Sequence, residues 1–486
     1  MILINPKSTR FGIFERYVPL SVPIGVGCLA GYLLQHGRKA EIIDEHIEPL
    51  SKELLDKALE GVSPPYIFGI STLTACAQRS YSISREIKNW YPDSKVVLGG
   101  IHPTVLPDEV LGVDTVDFAV RGEAEKILLE LYDAIKNNKD YSKIKGLSYK
   151  NGGKLAHNPP AELPALDDFP PFPYHLFKND RGKYNFGFIA SSRGCPYDCI
   201  FCSQRVISGQ KFRYVPEEIV IGEIDELINK HGQTHINFVD DNFTANKQRI
   251  FRLCELMIKN GFHEKATFDC QTRADAVNDE ILALLKKAGF RVINYGLETA
   301  SERLMVMLNK KETVADNIAA VKLAKKHGLR VSGTFIFGLP TETKEDRRQA
   351  YELAKKLDLD YVRFNNATPY PGTRLYEMAK EEGRLFVDEG WANLNACASL
   401  VQDSITESRL PYVPKGCDEK ELKKDIIRAN LLFSLRPKRV FKLLTKRIGP
   451  AGWFYLPPRW YLSLEEWCCL TRLGYSLLRS LVKIYI

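Results

Sequence analysis

Ser192-Arg-Gly-Cys-Pro-Tyr-Asp-Cys-Ile-Phe-Cys-Ser203 sets Cys195, Cys199 and Cys202 in a CxxxCxxC spacing. Three thiolates so placed gather around one metal centre and leave one position open for chemistry. With 11 cysteines in 486 residues, chance would produce this spacing somewhere with a probability of about 0.006. Cysteine is the soft ligand that iron–sulfur clusters and zinc prefer. A structural zinc site needs four closed ligands, usually as two pairs, yet the next cysteines, Cys254 and Cys270, are distant and unpaired. Buried cysteines on one helix face are a further reading, which Gly194, Pro196 and Asp198 interrupt with loop signals.

These residues resemble the radical S-adenosylmethionine (SAM) superfamily, whose members hold a [4Fe–4S] cluster by such a triad while SAM caps the fourth iron. Phe201, just before the last cysteine, matches the aromatic position that the family sets against adenine. From residue 185 the chain alternates six candidate strands (186–190, 235–239, 267–271, 292–297, 333–337 and 361–366) with helical patterns. Six such units predict an incomplete TIM-like barrel, open on one side, with its chemistry at the carboxyl ends of the strands.

Those ends carry polar residues. Asp240 and Asp241 follow the second strand, where the resemblance implies contact with the SAM ammonium; a helix N-cap is the alternative. Arg273 follows the third strand and would pair with the SAM carboxylate or with Glu298. Glu298 closes an otherwise apolar fourth strand, a costly place for a carboxylate unless it is paired or bonds a ligand such as the SAM ribose or amine. Gly338 begins the Gly-Leu-Pro turn that the resemblance places against adenine.

Upstream, strand patterns at 1–5, 40–44, 67–71, 95–98 and 118–120 alternate with helical ones such as 26–35 and 79–90, which predicts a doubly wound parallel sheet. Gly25-Val-Gly27-Cys-Leu-Ala-Gly31 mimics a dinucleotide fingerprint, but nearly twenty residues separate it from the first strand, so it reads as a helix start with glycine for close packing. Gly69-Ile-Ser71-Thr72, Gly99-Gly100-Ile-His102-Pro-Thr104 and Arg121-Gly-Glu-Ala-Glu125 together resemble the cobalamin-binding domain that precedes many radical SAM barrels. The resemblance implies cofactor contacts for Ser71, Thr74, Gly99, Gly100 and Glu123. It also has a gap: the loop after the first strand lacks the histidine that binds cobalt in other cobalamin proteins, and His46 follows the wrong strand.

The expected organisation is a cobalamin-binding unit over 1–140, a proline-rich linker over 141–180, a radical SAM barrel over 181–385 and a helical C-terminal region over 386–486. The resemblance implies a cobalamin-dependent C-methyltransferase, in layout like hopanoid methylases, or an oxidative cyclase like the anaerobic magnesium-protoporphyrin ester cyclase. The cofactors implied are the cluster, SAM and cobalamin, with flavodoxin or ferredoxin as electron donor; a non-catalytic cobalamin or metal sensor is the remaining alternative.

Apolar residues at 44% and charged ones at 26% are those of a soluble globular chain. No signal peptide or spanning run is evident, and cysteines without a disulfide-like framework point to the cytoplasm. Residues 431–486 hold ten Lys/Arg against Glu465 and Glu466, which accounts for the net +8. With Trp453, Trp460 and Trp467 and an amphipathic pattern from Ser463, this tail suits an anionic membrane surface better than nucleic acid. It suggests a lipid or polyprenoid-like substrate and peripheral membrane contact; packing on its own protein is the simpler reading.

Overall fold

The computed structural model describes residues 1–7, 20–177, 184–394 and 409–436. Short β-branched runs such as Ile2–Asn5 and Lys95–Gly99 form strands buried on both faces, as a parallel sheet covered by helices requires. Five parallel strands stand in the order Glu41–Asp44, Ile2–Asn5, Ile67–Ser71, Lys95–Gly99, Phe118–Val120. The winding reverses beside Ile2–Asn5, and the crevice at its carboxyl edge is where such sheets bind ligands.

The sheet does not end where the sequence reading placed a linker. The antiparallel hairpin Leu147–Asn151/Lys154–His157 adds two strands beyond Phe118–Val120, so the connecting segment proper begins after His157. Its prolines pack rather than dangle. The ring of Phe172 lies where a side chain on Gly27 would project, and Pro173 stands 3.3 Å from the corresponding position of Gly31. Gly27 and Gly31 of the helix Ile24–Gln35 therefore serve close packing, as their context implied, whereas a side chain on Gly25 would meet open space.

The second sheet is wholly parallel and runs in chain order: Phe188–Ile189, His235–Phe238, Thr267–Thr272, Phe290–Glu298, Arg330–Phe337, Tyr361–Asn366. Helices on one side bury their apolar stripes against it. Thr313 and Thr343 start two of them with reciprocal capping boxes to Asp316 and Asp346. The result is an open six-stranded barrel.

Beyond it, the helix Glu419–Ser434 covers the outer face of the last strand. Asn430 accepts a hydrogen bond from the Phe364 amide at 3.1 Å and donates to the Phe364 carbonyl at 2.8 Å. No helix among the described residues is long and apolar enough to cross a membrane. The basic, tryptophan-bearing tail from residue 437 lies outside the described residues.

Candidate active site

The cysteine loop lies over the mouth of the barrel and is tied down at several points. The Ile200 amide donates to the Leu308 carbonyl at 3.1 Å, the Leu375 amide to the Ile200 carbonyl at 2.9 Å, and Asn309 Nδ2 to the Asp198 carbonyl at 2.8 Å. Phe201 packs among Leu304, Leu308 and Leu375. Cys195, Cys199 and Cys202 are free thiols, each partly buried. Burial pushes the Cys199 thiol up to about 12 and the Cys202 thiol to about 11. They are protonated near neutrality unless a positive metal centre draws them into the thiolate form.

Beside Cys199 stands a buried ion cluster that the sequence reading captured only in part. Arg273 approaches Cys199 Sγ with Nη1 at 4.0 Å and stacks on Tyr197, 3.4 Å from the ring centroid. Its other nitrogens pair with Asp275 at 2.8 Å and Glu312 at 3.5 Å. Glu298 is not its partner. Lys310 stands between them, 3.2 Å from Glu298 and 3.0 Å from Glu312. Burial alone would lower the lysine pKa, but the two carboxylates hold it above its usual value. Glu298 has φ +57°, a left-handed conformation that costs a glutamate about 1–3 kcal/mol and is kept only where surroundings enforce it. Lys310, Glu312 and Asp275 escaped the sequence reading. In the linear chain, Asn309-Lys-Lys-Glu312 looks like a solvated charged turn.

Other candidates are engaged differently from expectation. Asp240 is consumed within the protein: its carboxylate accepts from Ser191 Oγ and the Ser192 amide, both at 2.6 Å. It caps no helix either, since Asn246 is the N-cap that follows. Asp241 accepts from the Gly194 amide at 3.1 Å and Gln204 at 2.7 Å, which orients the loop leading into Cys195. Gly338 aims its side-chain position at Leu422 of the C-terminal helix, 2.8 Å away, and its amide donates to buried Glu342 at 2.5 Å.

In the first unit, Gly99 and Gly100 close the strand Lys95–Gly99 at the sheet edge, in register with Ser71. Gly100 has φ +107°, and a side chain there would stand 2.9 Å from the Thr72 carbonyl, so only glycine fits. Thr74 is buried in the short turn Thr74–Cys76. Glu123 is already taken. Arg213 grips it bidentately, Arg193 reaches it at 3.2 Å and Glu125 at 2.7 Å, and Arg193 directly precedes Gly194 and Cys195. The loop expected to touch cofactor is thus ion-paired to the cysteine loop.

A cavity of about 330 Å³ joins the two units. It is lined by Leu3, Ile4, Val97 and Val120 of the sheet, by the helix Ile24–Gln35, by Ser71, Gly99, Gly100 and Glu123, and by Ser192, Gly194 and Asp241 of the barrel. That volume lies within the range of small-molecule sites. Glu223 also lines it, and burial raises its carboxyl to about 7 although the Phe172 amide donates to it at 2.8 Å. The folded state then holds a proton that the unfolded chain releases above about pH 4.5, so stability falls as pH rises from there to about 7. Glu223→Gln is expected to flatten this slope, which spans about 3 kcal/mol, in urea titrations at pH 5 and 7.5; an unchanged slope would show that Glu223 does not carry it.

Family comparison agrees with this anatomy. The radical SAM superfamily model matches residues 189–354 and the B12 binding domain model residues 15–132. An uncharacterized methyltransferase of Pyrococcus horikoshii is 33% identical over 432 residues, covering 88% of this chain and 91% of that protein. The chain belongs to the cobalamin-binding radical SAM superfamily. An anaerobic magnesium-protoporphyrin IX monomethyl ester cyclase of Cereibacter sphaeroides is 29% identical, over 75% of this chain and 61% of that one. The structure of the radical SAM methyltransferase TsrM from Kitasatospora setae, with cobalamin and a [4Fe–4S] cluster bound, shares the fold with a TM-score of 0.67 at 20% identity, covering 78% of this chain and 74% of that one.

Membership makes the chain an enzyme of the radical SAM class, with a [4Fe–4S] cluster, SAM and cobalamin as its cofactors. The residues fit these groups. Three raised thiols await a metal centre, and the glycine-edged slot is open where a corrinoid would approach the barrel. No three His, Cys, Asp or Glu side chains among the described residues converge as a single metal ion demands; in a cluster each cysteine binds its own iron, so the triad need not converge that far.

Proposed function

We propose that this radical SAM enzyme is a cobalamin-dependent C-methyltransferase acting on an unactivated carbon. The observation that carries the reading is the shared cavity, which Gly99 and Gly100 of the first sheet line together with Gly194 and Asp241 beside the cysteine loop. When bound, the cofactors supply an electron that cleaves SAM to a hydrogen-abstracting radical and a methyl group for the resulting substrate radical. In this reading Cys195, Cys199 and Cys202 hold the cluster. Glu298, Arg273 and Phe201 orient SAM, Asp241 fixes the cysteine loop, and the Gly338 turn borders adenine. Ser71, Thr74, Gly99 and Gly100 receive the corrinoid, while Glu123, spent on two arginines, couples its loop to the barrel. Flavodoxin or ferredoxin is the proposed electron source.

The test is the stoichiometry of SAM consumption. Methyl transfer uses one SAM for hydrogen abstraction and another to remethylate cobalt, so 5′-deoxyadenosine and S-adenosylhomocysteine should form in equal amounts with a methylated product. An oxidative cyclase, the activity named for the Cereibacter relative, would release 5′-deoxyadenosine without S-adenosylhomocysteine. The lipid-like substrate and the membrane contact rest on the tail from residue 437, outside the described residues, and gain no support from the barrel.

Cobalt is expected to have no protein nitrogen ligand. The loop after the first strand carries no histidine, and His46 follows the second strand, its Nδ1 3.0 Å from Asp44 Oδ1. Electron paramagnetic resonance of the Co(II) form should show no protein nitrogen splitting and be unchanged in His46→Ala. A nitrogen pattern lost in that variant would reverse the assignment.

A further inference from the structure

The segment Asp240-Asp241-Asn242 runs alongside the chain that enters the cysteine loop. Asp240 takes the Ser192 amide and Asp241 the Gly194 amide, so the next residue on each side brings Asn242 toward Cys195. Asn242 is wholly buried. The Thr272 hydroxyl donates to its Oδ1 at 2.8 Å, which turns Nδ2 the other way. That nitrogen is shut off from solvent and has no hydrogen-bond partner among the described residues. A buried N–H so placed calls for an acceptor.

The acceptor beside it is sulfur. Burial raises the Cys195 thiol, while the Tyr197 amide, Arg273 and the Asn242 side chain favour its thiolate. A thiol is a weak acceptor, whereas a thiolate carries the charge that strengthens an N–H bond. The reverse orientation of the amide would set a carbonyl oxygen against that charge. A SAM ammonium does not account for Nδ2, since a donor cannot hold a cation, and Oδ1 is already taken by Thr272.

We infer that Asn242 is a positioning residue for the iron–sulfur cluster: its Nδ2 donates an N–H···S hydrogen bond to iron-bound Cys195 and thereby raises the reduction potential. An added electron makes the thiolate shell more negative, so a donor aimed at sulfur stabilises the reduced cluster more than the oxidised one. The cluster is then easier for a protein electron donor to reduce. The inference rests on Cys195 being a cluster ligand and not on methyl transfer.

Reconstituted holoenzyme, with SAM omitted, would be titrated anaerobically with reductant and mediators while electron paramagnetic resonance follows the reduced cluster. Asn242→Leu and the smaller Asn242→Val should each make one-electron reduction roughly tenfold less favourable, a midpoint about 59 mV more negative, with iron content unchanged. Electron–nuclear double resonance in D2O should lose one exchangeable deuteron coupling in both variants. An unchanged midpoint in both, a shift that appears only when SAM is added, or loss of iron from both would overturn the inference; the second result would assign Nδ2 to SAM and the third would make Asn242 a support of the loop. Iron retained when Cys195, Cys199 and Cys202 are all alanine would overturn it differently, by removing Cys195 as a ligand.

Discussion

Replacing Cys195, Cys199 and Cys202 together with alanine is expected to abolish both the cluster and SAM cleavage. Each thiol is partly buried and pushed upward by its surroundings, so without metal the three are neutral side chains that the loop tolerates. The loop itself is held by backbone bonds to Leu308 and Leu375, which alanine leaves intact. The variant should therefore fold, with an unchanged far-ultraviolet circular dichroism spectrum, and lack bound iron and visible charge-transfer absorbance after anaerobic reconstitution. Four irons retained by the triple variant would mean that cysteines outside this triad carry the cluster.

Removing the Lys310 ammonium is expected to have the largest effect on stability. Lys310 shares its buried surroundings with Glu298, Glu312 and Arg273, and the more exposed Asp275 closes the cluster on Arg273. Three carboxylates thus face two cations, and Lys310→Met leaves them with one. Breaking a buried pair from one side costs about 3–5 kcal/mol, because the abandoned charge stays desolvated. The sign with pH follows. In the variant, a carboxylate lacking its cation has a raised pKa, so the folded protein takes up a proton that the unfolded chain does not. The deficit should shrink as pH falls toward 5 and reach its full size above it. Urea denaturation of wild type and variant at pH 5 and pH 8 measures this; a loss below about 1 kcal/mol at pH 8 would show the cluster to be hydrated rather than buried.

The strands were legible because each is a short β-branched or aromatic run bounded by turn residues. Ile67–Ser71, Phe118–Val120 and Tyr361–Asn366 fall where the pattern puts them. Phe188–Ile189, two residues long, is less than its apolar pattern implies; the Gly187 amide on one side donates to the Asn185 side chain and the Ser191 hydroxyl on the other to Asp240. The hairpin at 147–157 was missed because Lys150, Asn151 and Lys154 alternate too weakly for an edge that faces water. At the site, the thiol spacing carried its own chemistry, whereas Asp240 and Glu123 were assigned to cofactors and are occupied by protein partners. A carboxylate after a strand has the same sequence signature whether it meets a ligand, an amide or an arginine.

What the sequence by itself determined is what depends on local order: the cysteine triad, the strand periodicity, the glycine-bearing turns and hence two α/β units in series. Spacing along the chain suffices for these, because the interacting groups lie within a few residues of one another. Only the tertiary structure decided the pairings made across long separations. Lys310 stands between Glu298 and Glu312, and Arg193 and Arg213 converge on Glu123 from the other unit. Charge and hydrogen-bonding partners are chosen by distance in space, and a buried carboxylate takes whichever cation the packing of the core brings within reach.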